Sequence, residues 1–507
     1  MSLSKSAATA DGPPSPAPSE AGYGEAGVPD ARAFGRLAHG VSTLTIAEAV
    51  RVAVSAALAV YLARRLGAVA FGLWTFALAV TGYPLALVEA GLTWIGTRDV
   101  AAQPSIARPL VRRIVALRLA LAVVGGAVVV VAAVALTGPG PGRLVIVFAG
   151  CSLVTTALTI DWVFYGLERP SIVAAANVTR VVVFAVAALL LIRQPALIWG
   201  VPLLQAAGEA IAAALLWTTF LRAGPRPDPD GPRVATLDVI RQSAPLTLSQ
   251  FMRALTMWSA VTMIGLRGTA FDVGQFGAAQ RLALLAGGFT TLYFYGYLPL
   301  ASRAARRGPA AVAELVTRSV RLTALATLPF AVAATLLADP VVRIVFGASY
   351  SAAAPVLRIL VWTIPISVLA GHFRHTLIAE RQTRLDLAAV AAGAVTTVGL
   401  NLTFVGRLGL TDGALAMVAG EAAMAIAAIG LVAACVRPIV PAAPLFRAAL
   451  PALIMGAVLL IVRDAGLVSA LAAGGLAYVV ALVACGEVTP SGLAAFARGW
   501  RVPRDAP

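Results

Sequence analysis

The sequence predicts an all-α integral membrane protein. About fourteen transmembrane helices form two six-helix lobes of the same orientation, and two further helices follow at the C-terminal end. Three observations predict this. The chain of 507 residues is 60% hydrophobic and 12% charged, with mean hydropathy +0.88; soluble domains are roughly 45–50% apolar and about 25% charged. Apolar runs of about 20 residues, each long enough to cross a bilayer, recur along nearly the whole chain. Pieces of the first half reappear in the second at a near-constant offset.

The elements follow in order. Residues 1–40 are rich in Pro, Ala, Gly and Ser and lack an apolar h-region, so they read as a disordered cytoplasmic tail rather than a signal peptide. Spans are then expected at roughly 43–63, 72–94, 114–136, 144–165, 171–192, 196–220, 240–266, 275–299, 319–338, 356–379, 385–406, 411–435, 447–463 and 467–485. Lipid offers no partner for backbone amides, and the runs are too long and uniform for barrel strands, so each is a helix. The organisation is a tail (1–40), a first lobe (41–221), a cytoplasmic linker (222–239), a second lobe (240–436), two added spans (437–487) and a cytoplasmic tail (488–507).

Orientation follows from arginine, because Lys5 is the only lysine. Arg98, Arg108, Arg112 and Arg113, then Arg169, then Arg222, Arg226, Arg233 and Arg241, then Arg303, Arg306 and Arg307 fall in alternate loops, as do Arg381, Arg384, Arg437 and Arg447. The other loops carry mostly single arginines, and the tail adds Arg498, Arg501 and Arg504. This bias puts both termini in the cytoplasm and requires an even number of spans. It also accounts for the net charge of +16 through orientation and contact with anionic membrane lipid, not nucleic acid. Cys151, Cys435 and Cys485 are far apart in apolar stretches, which predicts neither a disulfide framework nor a metal site.

The repeat rests on three matches. "GLERPSIVAAA" matches "IAERQTRLDLA", aligning Glu168-Arg169 with Glu380-Arg381, and "AAGEAIAAA" matches "VAGEAAMAI", aligning Gly208-Glu209 with Gly420-Glu421; both offsets are about 212 residues. More weakly, "FGLWTFALAV" echoes "VGQFGAAQRL", aligning Gly72 with Gly274 at a shorter offset. Halves of six spans have the same orientation, with a cavity expected between them near the midplane.

A charge centred in a bilayer costs roughly 2.5–3.5 kcal/mol on insertion scales, so each one requires a reason. Glu209 and Glu421 lie mid-span, with Gln205 one turn before Glu209 on the same face. They read either as proton- or ion-linked carboxylates or as hydrogen-bonded ties between helices. Glu48 and Arg51 share one face of the first span, either as part of a cavity wall or as a snorkelling pair. Glu89 lies on the second span, Arg253 on the seventh and Arg281 on the eighth. In a two-lobe protein, spans 1, 2, 7 and 8 face one cavity, and arginine there suits an anionic group, above all phosphate. Arg118 and Arg180 lie near cytoplasmic ends, where they can snorkel. His372 and His375 share a face but have no third ligand, which makes packing the better reading. The aromatic run Phe289–Pro299 reads as an interfacial belt or a sugar-stacking surface, and Asp161-Trp162 as a cap. Walker-type, HExxH and DxD motifs are missing, and no loop is large enough for a catalytic domain, so neither enzyme activity nor a cofactor or metal is expected.

The stretches "LARRLGAVAFGLWTFALAV", "VEAGLTWIGTRDVA", "DWVFYGLERPSIVAAANVTR", "RQSAPLTLSQF", "VGQFGAAQRLALL", "LPLASRAAR", "FGASYSAAAPVLRILVW" and "NLTFVGRLGLTDGALAMVAGEAAMA" lie over roughly 40–435. In order and spacing they resemble the polysaccharide-unit (Wzx-type) flippases of the multidrug/oligosaccharidyl-lipid/polysaccharide exporter superfamily. The resemblance implies an exporter of MATE-like architecture in the bacterial inner membrane. It also implies flipping of a polyprenyl-diphosphate-linked oligosaccharide for surface polysaccharide synthesis, with a polymerase and glycosyltransferases as partners. Arg51, Arg253 and Arg281 occupy helices comparable to those carrying the family's cavity cations, and Glu48, Glu89, Glu209 and Glu421 stand as cavity or coupling acids. At Glu89 many relatives carry aspartate. A drug or small-molecule antiporter of the same superfamily is the rival reading.

Overall fold

The computed structural model describes residues 31–225, 236–404, 409–436 and 442–487, which form α-helices and no strand among the described residues. The first lobe comprises α1 (Ala31–Ala102), α2 (Ala107–Leu136), α3 (Pro141–Ala149), α4 (Cys151–Ala157), α5 (Asp161–Gly166), α6 (Pro170–Leu191) and α7 (Gly200–Ala223). The second comprises α8 (Thr236–Arg267), α9 (Ala270–Arg307), α10 (Pro309–Leu336), α11 (Ala338–Phe346), α12 (Ala353–Leu360), α13 (Thr363–Ala379), α14 (Thr383–Phe404) and α15 (Thr411–Cys435). The last two helices, α16 (Ala442–Val462) and α17 (Leu467–Ala484), pack on the outer face of α10. Helix begins at Ala31, inside the expected tail. Residues 1–30, most of the expected linker, the C-terminal tail and Arg226, Arg233, Arg407, Arg437, Arg498, Arg501 and Arg504 lie outside the described residues.

All fourteen expected spans are helical over most of their described residues. Among those residues, eleven helical stretches are long and apolar enough to cross a membrane, and one of them, Ala47–Ala102, holds the first two spans. Those two meet without a loop at Gly67, whose φ of 75° only glycine adopts at no steric cost. The seventh and eighth spans, α8 and α9, have the length but fall short in apolar composition.

The internal repeat is visible in the backbone. The fourth span starts at Pro141 and breaks at Gly150; the tenth starts at Ala353 and breaks at Val361-Trp362. The next connection turns through a left-handed residue in each lobe, Glu168 (φ 56°) and Arg381 (φ 59°), the two non-glycine residues with positive φ among those described. Each turn closes with the same bonds: Arg169 N to Phe164 O at 2.8 Å and Gln382 N to Leu377 O at 2.8 Å. Glu168 therefore matches Arg381 rather than Glu380, one residue away from the sequence alignment. Gly208 then lies against Arg180 and Phe184 of α6, and Gly420 against Gly393 and Thr397 of α14.

One continuous apolar core joins the lobes at the end of the bundle that carries Gly67. It is built from Leu58–Val80 of α1, Ala260–Ala283 of α8 and α9, and Ala338–Leu360. Gly72 and Gly274 face Ala270 and Ala68 at backbone contact there, where any Cβ would overlap a carbonyl. Tyr350 donates to Ala63 O at 2.9 Å, and Arg64 donates to Val345 O at 2.7 Å and to Ile344 O at the end of α11. Toward the other end are two separate cores, Leu92–Phe220 of the first lobe with Val239 of α8, and Ala304–Val432 within the second. The lobes also touch there, Gly91 lying against Ser243 and Thr247 and Arg98 donating to Gln242 Oε1 at 2.6 Å.

Candidate functional site

A cavity of about 750 Å³ lies between the lobes, lined by α1, α2, α4 to α9, α12, α13 and α15. Its carboxyl groups are Glu89, Asp161, Glu209 and Glu421, and its guanidiniums are Arg118, Arg180 and Arg253. Thr, Ser, Asn and Gln side chains and the indoles of Trp94 and Trp258 fill much of the remaining wall.

Four of the seven residues singled out from sequence line this cavity: Arg253, Glu89, Glu209 and Glu421. Arg253 projects from α8 one turn after Gln250, and among the described residues it makes no ion pair or side-chain hydrogen bond. Arg180, one turn after Asn177 on α6, is equally free. Glu209 is tied: Thr155 donates to one carboxylate oxygen at 2.5 Å and Gln205 to the other at 3.2 Å. Glu421, buried and on the matching turn of α15, has a carboxylate oxygen with no partner. Glu89 is exposed to the cavity, and its carboxylate accepts no hydrogen bond among the described residues.

The other three lie elsewhere. Arg51 and Glu48 pair with each other, Nε to Oε2 at 2.8 Å with a second closer contact, and are not among the lining residues. Arg281 sits at the closed end, its guanidinium 3.9 Å from the Trp74 ring centroid and 4.5 Å from that of Phe71. There it spans from α9 to α1, and a desolvated contact of this kind is worth about 2 kcal/mol.

Sequence reasoning missed Arg118 and Arg180 as cavity residues. Arg118 does not snorkel. It is 2% exposed and donates to Thr159 O at 2.9 Å, to Glu89 O at 3.0 Å and to the Thr93 hydroxyl. The reason lies in the fourth span, which unwinds between α4 and α5. Irregular backbone at membrane depth survives only where its polar groups find protein partners. Trp217 donates to Leu158 O at 2.8 Å and Arg118 to Thr159 O, satisfying the carbonyls that the break frees. Asp161, read as a cap, does accept from Trp162 N at 2.9 Å but also lines the cavity. The aromatic run is not a belt over its described part: Tyr293, Phe294 and Tyr297 pack on His372 and His375, with Tyr293 hydroxyl and His372 Nε2 at 2.9 Å. The available signal was an amide one turn from an arginine, in Asn177/Arg180 and Gln250/Arg253.

A family model described as polysaccharide biosynthesis protein matches residues 37–305, more than half of the chain. The chain belongs to this polysaccharide biosynthesis family. Its relationship is the one the sequence motifs implied. Among solved structures, the family member is similar in fold to the lipid II flippase MurJ in an inward closed conformation, with TM-score 0.71 and 12% identity over 88% of this chain and 98% of that one. It is also similar to an outward-facing multidrug resistance MATE transporter of the MOP superfamily, with TM-score 0.53 and 17% identity over 81% and 95%. A third similar structure is a MOP superfamily transporter from Pyrococcus furiosus, described as having a binding pocket of reverse polarity, with TM-score 0.54 and 17% identity over 81% and 95%. No curated protein matches the sequence.

Proposed function

We propose that this member of the polysaccharide biosynthesis family flips a polyprenyl-diphosphate-linked oligosaccharide from the cytoplasmic to the outer leaflet of the bacterial inner membrane by alternating access. The observation that carries the reading is a pair of unpartnered guanidiniums, Arg180 on one lobe and Arg253 on the other, facing one cavity between them. A planar fork of donors binds phosphate oxygens in pairs, and two forks on opposite lobes suit a diphosphate held while the lobes move. The polar wall shields the sugar from hydrocarbon, and no bond of the substrate is broken. The arginine-rich end is the cytoplasmic one, with both termini there, so the shared core closes the cavity on the outer side. Arg51, beside Glu48, stands near the entrance, and Arg281 supports the closed end. Glu89, Glu209 and Glu421 balance the arginines. Anionic lipid holds the arginine-rich face, and a polymerase and glycosyltransferases act on either side of the step.

One observation favours the rival antiporter: carboxyl groups outnumber guanidiniums in the wall, four to three, which suits an organic cation. Reconstitution separates the two. Purified protein in liposomes, loaded with a fluorescent polyprenyl-diphosphate sugar, is expected to make the probe accessible to an outside reagent. Arg180→Ala and Arg253→Ala are each expected to slow this at least tenfold. Unchanged rates in both variants, with efflux of a fluorescent organic cation, would establish the antiporter instead.

A further inference from the structure

The charge pattern of the wall says more about the cargo than the presence of two arginines does. Of the three guanidiniums, Arg118 has its donors turned into the protein, toward Thr159, Glu89 and Thr93. That leaves Arg180 and Arg253 to meet a ligand. Each already has acidic company: Glu48 and Glu89 act on Arg180, and Glu421 acts on Arg253. A bound diphosphate uses both forks, and among the described residues no free cation remains in the wall for a second anionic group.

The carboxylates, in contrast, have acceptor capacity to spare. Glu421 is 9% exposed and lines the cavity beside Ser367; one of its carboxylate oxygens is buried without a partner. Such an oxygen is costly to leave unmet and gains from a hydroxyl or ammonium donor. Glu89 offers a second free carboxylate from the opposite lobe. Sugar hydroxyls and amino groups supply donors; a uronic acid supplies another negative charge in a desolvated space, where like charges repel more strongly than in water.

We infer that the cavity selects a lipid-linked glycan whose sugar beside the diphosphate is uncharged or amino-bearing, that it discriminates against a uronic acid at that position, and that Glu89 and Glu421 impose the choice. The inference rests on the carrier reading above and names the class of sugar it takes.

Binding of three synthetic probes to the purified full-length protein tests it: polyprenyl diphosphate bearing a single glucose, glucosamine or glucuronic acid, followed by quenching of tryptophan fluorescence. Trp94 and Trp258 in the wall supply the signal. The glucose and glucosamine probes are expected to bind about tenfold or more tightly than the glucuronic acid probe. Glu89→Gln and Glu421→Gln, near-isosteric changes, are expected to bring the three probes to within about threefold of one another. Equal binding of all three by the unaltered protein overturns the inference and leaves the carrier reading standing. Discrimination that survives both replacements overturns the role of the two carboxylates. Failure of all three probes to bind overturns the carrier reading and the inference together.

Discussion

Arg118 illustrates how one buried charge can serve a backbone. Its two terminal nitrogens reach three acceptors, Thr159 O, Glu89 O and the Thr93 hydroxyl, on two different segments. Leaving a buried acceptor unmet costs about 1–3 kcal/mol, so Arg118→Ala is expected to lower stability by about 3 kcal/mol, read as a fall in the thermal unfolding midpoint in detergent. Lysine lacks the planar fork, and Arg118→Lys should recover only part of the loss. An unchanged midpoint for Arg118→Ala would mean that water replaces the side chain and the break needs no support. Arg253 differs, because among the described residues it makes no ion pair or side-chain hydrogen bond. Arg253→Ala is expected to abolish surface polymer in cells while protein levels hold, measured by polymer staining beside an immunoblot.

At the scale of elements, the paired glycines set how closely the helices approach. A Cβ on Gly420 would overlap Thr397, and one on Gly208 would press on the Arg180 carbonyl. Overpacking of this kind costs about 1–3 kcal/mol. Gly208→Ala and Gly420→Ala should therefore both reduce the folded yield in membranes. Gly399→Ala and Gly430→Ala, where a Cβ meets nothing within 4 Å, should not. Much of this level was legible in advance. The helices follow from length and apolarity, and the Gly-Glu pairs at 208–209 and 420–421 exposed the repeat because they recur at one spacing. The break at Thr159 was not legible: no proline or glycine marks it, and it exists because Arg118 and Trp217, distant in sequence, receive its carbonyls. The placement of Arg281 was hidden for a related reason. In Ala- and Gly-rich helices surrounded by lipid, apolar faces look alike, so the sequence tells which residues are charged but not which way a helix turns them.

The whole molecule is closed at one end by a shared core, and at the other it keeps two separate cores that meet where α1 touches α8. Gly72 and Gly274 allow the closed end to meet backbone to backbone. Gly72→Val is expected to pry it apart. A cysteine at Ala77, fully buried in that core, would then react faster with a water-soluble maleimide in a background lacking Cys151, Cys435 and Cys485. Equal labelling with and without Gly72→Val would show that the closure tolerates a side chain. Topology belongs to the same scale: reporters at residues 12 and 506 should both lie in the cytoplasm, and one outside would break the count of fourteen.

The modest apolarity of α8 and α9 also bears on how the chain is built during synthesis. A helix carrying Arg253 or Arg281 is a poor candidate for partitioning into lipid unaided, since insertion scales charge it about 2.5–3.5 kcal/mol for the arginine alone. The first lobe emerges from the ribosome earlier, and its second span already offers Gly82 to Trp258 and Gly91 to Ser243 and Thr247. The finished half thus acts as a template on which the polar helices of the second half are laid. In a fragment beginning at α8, α8 and α9 should fail to span the membrane by themselves, read by glycosylation tags in the loops beside them, and co-expression with residues 31–225 should rescue their insertion.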